Sequence, residues 1–167
     1  MHSIKILRST RHFLPERVPR STVEDIIDTA RWTGSARNRQ PWRFIAVTTD
    51  ALRVELSKLG RYAGHLAEAP LILVLLSADN GFTDTEFDMG RICQSLCSAA
   101  HDHGLGTCVT TFHPADNVTR VVALLDIQPG WLPHHAIAIG RRDPHRHRSP
   151  SAIPTGRLPG STLLTWA

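Results

Sequence analysis

Apolar positions recur along this chain with two periods, and the points where the period changes divide it into helices and strands. Val23, Ile26, Ile27 and Ala30 share helical spacing, so an amphipathic helix is expected over residues 21–32. Ser21 and Glu24 form a capping-box pattern at its start, and Gly34 marks its end. A short helix over residues 3–8 comes before it, followed by a loop rich in proline and arginine through Pro19. Residues 42–48 follow Pro41 and are β-rich, which predicts a strand, and residues 51–59 predict a short helix. Residues 71–77 are a continuous apolar run, the pattern of a strand buried on both faces.

The longest helical pattern runs from Asp84 to His103. Met89, Ile92, Cys93, Leu96, Ala99 and Ala100 form one stripe, and Phe87 and Cys97 widen it. A helix apolar over that much of its surface belongs in a core or a subunit interface. Gly104 and Gly106 stop it. Strands are then expected over residues 107–112 and 136–140, with a helix over 116–125 between them. This irregular alternation predicts an α+β fold, a sheet with helices packed on it. Residues 1–150 read as a single domain, and residues 151–167, rich in Pro, Gly, Ser and Thr, as an extended C-terminal arm.

Composition narrows the function classes. A chain of 167 residues, 41% hydrophobic and 20% charged, can bury a substantial core and is not disordered throughout. The longest apolar run is too short to span a bilayer, and the opening residues lack an export pattern, so no membrane partner and a cytoplasmic address are expected. Three cysteines do not make a disulfide framework, and Cys93 and Cys97 read as packing residues. Trp32, Trp131 and Trp166 read as core or interface packing.

The net charge of +4 raises a nucleic-acid reading, so the placement of the cations matters. They gather at the two ends of the chain: Arg8, Arg11, Arg17 and Arg20 early, then Arg141, Arg142, Arg146 and Arg148. No binding motif accompanies them, and 6% aromatics leave few stacking platforms, so no nucleic-acid partner is expected. A zinc reading rests on seven histidines from His101 onward. His101 and His103 fall on different faces of their helix and no His-Glu-x-x-His occurs, so no metal is expected.

Three segments carry candidate chemistry. Arg8-Ser9-Thr10-Arg11-His12-Phe13 offers guanidinium and hydroxyl donors suited to a phosphate monoester. Gly34-Ser35-Ala36-Arg37-Asn38-Arg39-Gln40-Pro41-Trp42 carries two amides, each with a donor and an acceptor for the edge of a planar ring. Ile139-Gly140-Arg141-Arg142, continuing to Arg148, delivers cations at a strand end.

Together these segments resemble the nitroreductase family. Its opening looks like Arg-Ser-x-Arg-x-Phe followed by Val-Pro, matched by Arg8 to Phe13 and Val18-Pro19. Its second signature is similar to Ser-x-x-Asn-x-Gln-Pro-Trp-x-Phe, matched from Ser35 to Phe44. Ala69-Pro70, Asp88-Met89-Gly90, Gly104-Leu105-Gly106 and Ile137-Ala138-Ile139-Gly140 follow in the family's order. Leu7 stands where members often carry a basic residue, and Gly34 where a proline is common.

The resemblance implies a mostly antiparallel sheet flanked by helices, with the long central helix at a homodimer interface. It implies FMN as cofactor and NAD(P)H as co-substrate, in a ping-pong cycle that passes hydride to a nitroaromatic, quinone or similar small acceptor. An oxidase or dehydrogenase of the same fold is the alternative. The FMN site would comprise Arg8, Ser9, Arg11, Arg146 and Arg148 at the phosphate and ribityl chain. Ser35 and Asn38 would come from the other subunit, Gln40 would lie near the flavin, and the backbone of Thr110 and Thr111 beside its N5 edge. Tyr62, in a stretch where a pocket lid would lie, is read as a substrate contact.

Overall fold

The structure, a computed structural model, describes residues 3–146 and 156–167. After the short helix α1 (Ser3–Ile6) comes α2 (Arg20–Ala30), and strand β1 (Trp42–Val47) leads into α3 (Asp50–Ser57). Strand β2 (Leu71–Ala78), the long helix α4 (Thr85–Asp102) and strand β3 (Gly106–Thr111) follow. Helix α5 (Asp116–Leu125), strand β4 (Trp131–Gly140) and the one-turn helix α6 (Gly160–Leu163) complete the described residues. The four strands form one antiparallel sheet in the order β1-β2-β4-β3, so the α+β class holds.

The centre of the sheet explains the apolar run. Ile72, Val74 and Leu76 of β2 face one side with Ala136 and Ala138 of β4, where α3 and α5 contribute Leu56, Val118 and Val121. Leu71, Leu73 and Leu75 face the other with Ile137 and Ile139, against Ile26 of α2 and Met89, Ile92 and Leu96 of α4. Each fully buried side chain of this size contributes roughly 1.5–3 kcal/mol, so the two faces of β2 anchor both helical layers. Cys97 is buried and Cys93 half-buried in the second layer, as packing residues are.

Several local expectations are corrected. The capping box does not form: α2 starts at Arg20 behind Pro19, whose φ of −59° presets the turn, and no side chain caps it. Ser21 therefore sits inside the first turn, and Glu24 accepts from Arg20 Nε at 2.7 Å instead. The helix ends at Ala30, not Gly34, because the Thr33 N–H and hydroxyl both bond the Ala30 carbonyl, at 2.9 and 2.7 Å. Strand β4 begins five residues before the expected start at 136. Pro133 is tolerated within it because the register with β2 shifts between Leu75 and Ser77, the irregularity at which a proline costs no ladder bond. Trp32 and Trp166 are exposed, so core packing does not hold for them, whereas Trp131 is half-buried beneath the guanidinium of Arg43. Residues 156–167 are exposed, and α6 interrupts the expected extended arm.

Candidate functional site

Strand β3 is a sheet edge, and an edge presents unpaired backbone donors and acceptors. The segment after α1 covers its first half. Ser9 forms a parallel bridge with Thr107, and the Thr10 N–H donates to the Thr107 carbonyl at 2.8 Å. Glycine at 106 makes this approach feasible, since a Cβ there would lie 2.4 Å from Thr10 Oγ1. The chain then turns along the end of β4. Phe13, buried, bridges Arg142, Leu14 N–H donates to the Arg141 carbonyl at 2.9 Å, and Asp143 N–H donates to the His12 carbonyl at 3.0 Å.

This packing brings Arg8 and Arg11 from the N-terminal segment and Arg141, Arg142 and Arg146 from the end of β4 to one corner of the sheet. Glu16 pairs with Arg141 at 3.2 Å, and Glu68 with Arg146 at 2.7 Å. Arg8, among the described residues, donates to the carbonyls of Lys5 and Leu7, at 2.8 and 2.7 Å. Among the described residues, Arg11 and Arg142 have no carboxylate partner, and Arg8 and Arg142 line a common cleft of about 240 Å³. Arg8 and Arg142 in that cleft, with Ser9 and Arg11 in the adjoining segment, supply guanidinium and hydroxyl donors of the kind that suits a phosphate monoester.

The second half of β3 meets residues 58–66. His65 Nδ1 lies 3.1 Å from the Tyr62 carbonyl and Nε2 lies 2.9 Å from Thr110 Oγ1. A carbonyl only accepts, so Nδ1 carries the hydrogen and Nε2 accepts from the Thr110 hydroxyl. Burial holds the His65 pKa below its ordinary 6.5, and the positive charge of Arg11 lowers it further. On the opposite face Thr111 Oγ1 meets His135 Nδ1 at 3.0 Å, and the His135 pKa is lowered, chiefly by burial. Tyr62 is 80% exposed, next to this part of the strand.

The amide-bearing loop is built from its own polar groups. Ser35 Oγ accepts from the Gln40 N–H at 2.9 Å, and Gln40 Nε2 donates to Asn38 Oδ1 at 3.1 Å. Arg37, Asn38 and Gln40 have φ of 52°, 54° and 49°, and a non-glycine residue there stores on the order of 1–3 kcal/mol. Asp88 of α4 offsets the strain from below. Its carboxylate, 1% exposed, accepts from the Ala36 N–H at 2.8 Å and from Arg91 at 3.1 Å.

The structure therefore brings Arg8, Ser9, Arg11 and Arg146 to one corner and sets Thr110 and Thr111 along the strand leading from it. Ser35, Asn38 and Gln40 lie elsewhere. Thr107 pairs with Ile139 and Ile139 with Leu71, whereas Trp42 pairs with Ser77. The loop is thus about 20 Å farther along the sheet and three strand spacings, about 14 Å, across it. Within one chain the two segments do not meet. Arg148 lies outside the described residues.

Sequence reasoning did not single out His65, and it quoted Asp88 only within the Asp88-Met89-Gly90 motif, not for its place beneath the amide-bearing loop. Asp88 carried a signal, a carboxylate one turn from Ile92 on the buried face of α4. His65 carried none, because only the tertiary approach of residues 58–66 to β3 gives it partners. Among the described residues no three His, Cys, Asp or Glu side chains converge as metal ligands would, and no helix is long and apolar enough to cross a membrane.

Comparison with known proteins agrees with this architecture. A family model described as the nitroreductase family matches residues 5–141. A protein of Methanothermobacter thermautotrophicus, described as an NADH dehydrogenase/NAD(P)H nitroreductase, is 27% identical over 146 residues, 84% of this chain and 75% of its own length. A nitroreductase family protein of Streptococcus pneumoniae superposes with a TM-score of 0.82 at 21% identity, covering 99% of this chain and 98% of that one. An FMN-dependent nitroreductase of Clostridium difficile does so with a TM-score of 0.79 at 18% identity, covering 93% and 98%. These structures share the fold. With the family model spanning most of its length, the chain belongs to the nitroreductase family.

Proposed function

We propose that this chain is an FMN-dependent oxidoreductase that takes hydride from NADH or NADPH and delivers it to a nitroaromatic, quinone or similar acceptor in a ping-pong cycle. The observation that carries the reading is a cleft lined by Arg8 and Arg142, neither of them paired with a carboxylate among the described residues, with Ser9 and Arg11 in the adjoining segment that docks on the edge strand of a nitroreductase fold. The donor set fits the group: a phosphate monoester takes forked guanidinium and hydroxyl donors, and among the described residues Glu16 and Glu68 pair with Arg141 and Arg146 while Arg8, Arg11 and Arg142 have no carboxylate partner. When bound, FMN supplies the hydride transfer itself, and the protein contributes position and electrostatics. Arg146 stands at the same corner, restrained by Glu68.

Thr110 and Thr111 form the wall next to that corner, and the His65 and His135 bonds hold their hydroxyls in fixed directions. The loop of Ser35, Asn38 and Gln40 completes the site from a second copy of the chain, because it is far from this corner in its own copy. The chain is accordingly a homodimer with two sites at its interface. The exposed side of α4, with Phe87, Gly90 and Gln94 lining an open groove of about 720 Å³, is the contact face.

The test begins with purified protein and its visible absorption. A yellow preparation, or a colourless one that takes up one FMN per chain, is expected, followed by bleaching with NADH or NADPH under anaerobic conditions. Arg11→Ala should weaken FMN binding by roughly tenfold or more, the loss of one charge-assisted bond. Failure to bind FMN, or binding indifferent to Arg8 and Arg11, rejects the reading.

A further inference from the structure

The segment between α3 and β2 has a feature that flavin binding does not use. Its base is fixed. Ala63 and Leu66 are fully buried, and the Ala63 and Leu66 N–H groups bond the Gly60 and Ala63 carbonyls at 3.1 and 2.8 Å. Gly60 lies so close to β3 that a Cβ would come within 2.8 Å of the Thr111 carbonyl, and His65 fastens the other end to Thr110. On this base stand Arg61 and Tyr62, both exposed, with the guanidinium 5.5 Å from the ring centroid.

An aromatic ring held this far into solvent on a buried anchor has no role in packing its own chain. Among the described residues Arg61 has no carboxylate partner, while its neighbours are balanced: Lys58 bonds Glu55 at 2.6 Å, and Glu68 is shared by Arg146 and His12. Arg11 lies close enough to lower the His65 pKa. The tip is therefore a flat apolar surface beside an unneutralised, fork-shaped cation.

We propose that Arg61 and Tyr62 form a specificity element that selects planar acceptors carrying a carboxylate or similar anion, the ring stacking on Tyr62 and the anion taking the Arg61 fork. The inference rests on the proposed flavin site, since it assigns the acceptor class for that site. Attraction of an anion to a cationic rim raises the encounter rate, and a forked hydrogen bond slows departure, so the preference belongs in KM more than in kcat.

The probes are 4-nitrobenzoate and its neutral counterpart 4-nitrobenzamide, with the FMN-loaded protein and saturating NADH or NADPH. The wild type is expected to favour the benzoate in kcat/KM by about tenfold, the effect of one charge-assisted fork. In Arg61→Met the benzoate-to-benzamide ratio falls to about one through KM, and Arg61→Lys restores part of it. Calorimetric titration of the oxidised holoprotein with unreactive benzoate gives the same ranking without turnover. Equal treatment of the two nitro compounds by the wild type overturns the inference, as does an Arg61→Met effect confined to KM for NADPH. A chain that holds FMN and reduces both compounds alike defeats only this assignment. A chain that takes up no FMN defeats the flavin reading and this one with it.

Discussion

Asp88 shows how much one buried side chain can decide. Its carboxylate holds the Ala36 N–H from beneath while Arg91 balances its charge, so three residues with positive φ stay in a conformation they would otherwise leave. Asp88→Ala removes the acceptor and strands a part-buried N–H, at a cost of about 2–3 kcal/mol. A domain of this size should then melt about 4–12 °C lower. If the loop borders the cofactor, FMN affinity falls in the same variant by more than the stability loss predicts, which a titration well below the melting range resolves.

His65 and His135 supply the second residue-scale prediction. Both imidazoles are held below 6.5 in the native state, first by burial, so on acidification the unfolded chain takes up protons that the native chain refuses. The stability from keeping them neutral is complete above that value and is lost as pH falls through the native pKa values. Urea midpoints should therefore fall between about pH 8 and about pH 5.5. His65→Gln combined with His135→Gln should fall less, and an equal fall in the double variant would assign the acid lability to other groups.

At the scale of elements, the join between the N-terminal segment and β3 is the feature to test. Gly106→Ala would force Thr10 off the strand, since its side chain lies within 3 Å of the added carbon at three atoms. The change sits at a sheet edge, so the expected outcome is a folded protein with FMN affinity reduced at least tenfold, read by equilibrium titration beside circular dichroism. Retained affinity would detach the phosphate site from this join.

The same elements show what a linear reading can reach. The apolar run of β2, the stripe of α4 and the whole of α5 were legible because burial on one or two faces writes its period directly into sequence. The first turn of α2 was misread because Ser21 and Glu24 satisfy a local pattern that Pro19 pre-empts by one residue. The start of β4 was hidden because Pro133 reads as a break, and only the register with β2 reveals the irregularity that accommodates it. Of the candidate site, the cations were visible as two clusters, but their convergence depends on the Phe13–Arg142 and Ser9–Thr107 bridges, which no spacing encodes.

At the scale of the whole molecule, the proposed site has its two halves at distant corners of one sheet. In the proposed isologous pair a two-fold axis would bring the first half of each chain to the second half of the other and build two equivalent sites. The exposed Phe87 at 70%, on a helix whose opposite face is core, gives that pairing an apolar contact. Phe87→Asp should yield monomers by sedimentation and lose FMN at the same protein concentrations. A complementation experiment separates sharing from mere proximity. Arg11→Ala disables one half of the site and Asn38→Ala the other, so neither pure variant binds FMN tightly. After unfolding together and refolding in equal amounts, half of the dimers are mixed. In each of these both defects fall in one site, leaving the other wild-type, so about one site in four recovers. Were each site built within a single chain, every site would keep one defect and mixing would recover none.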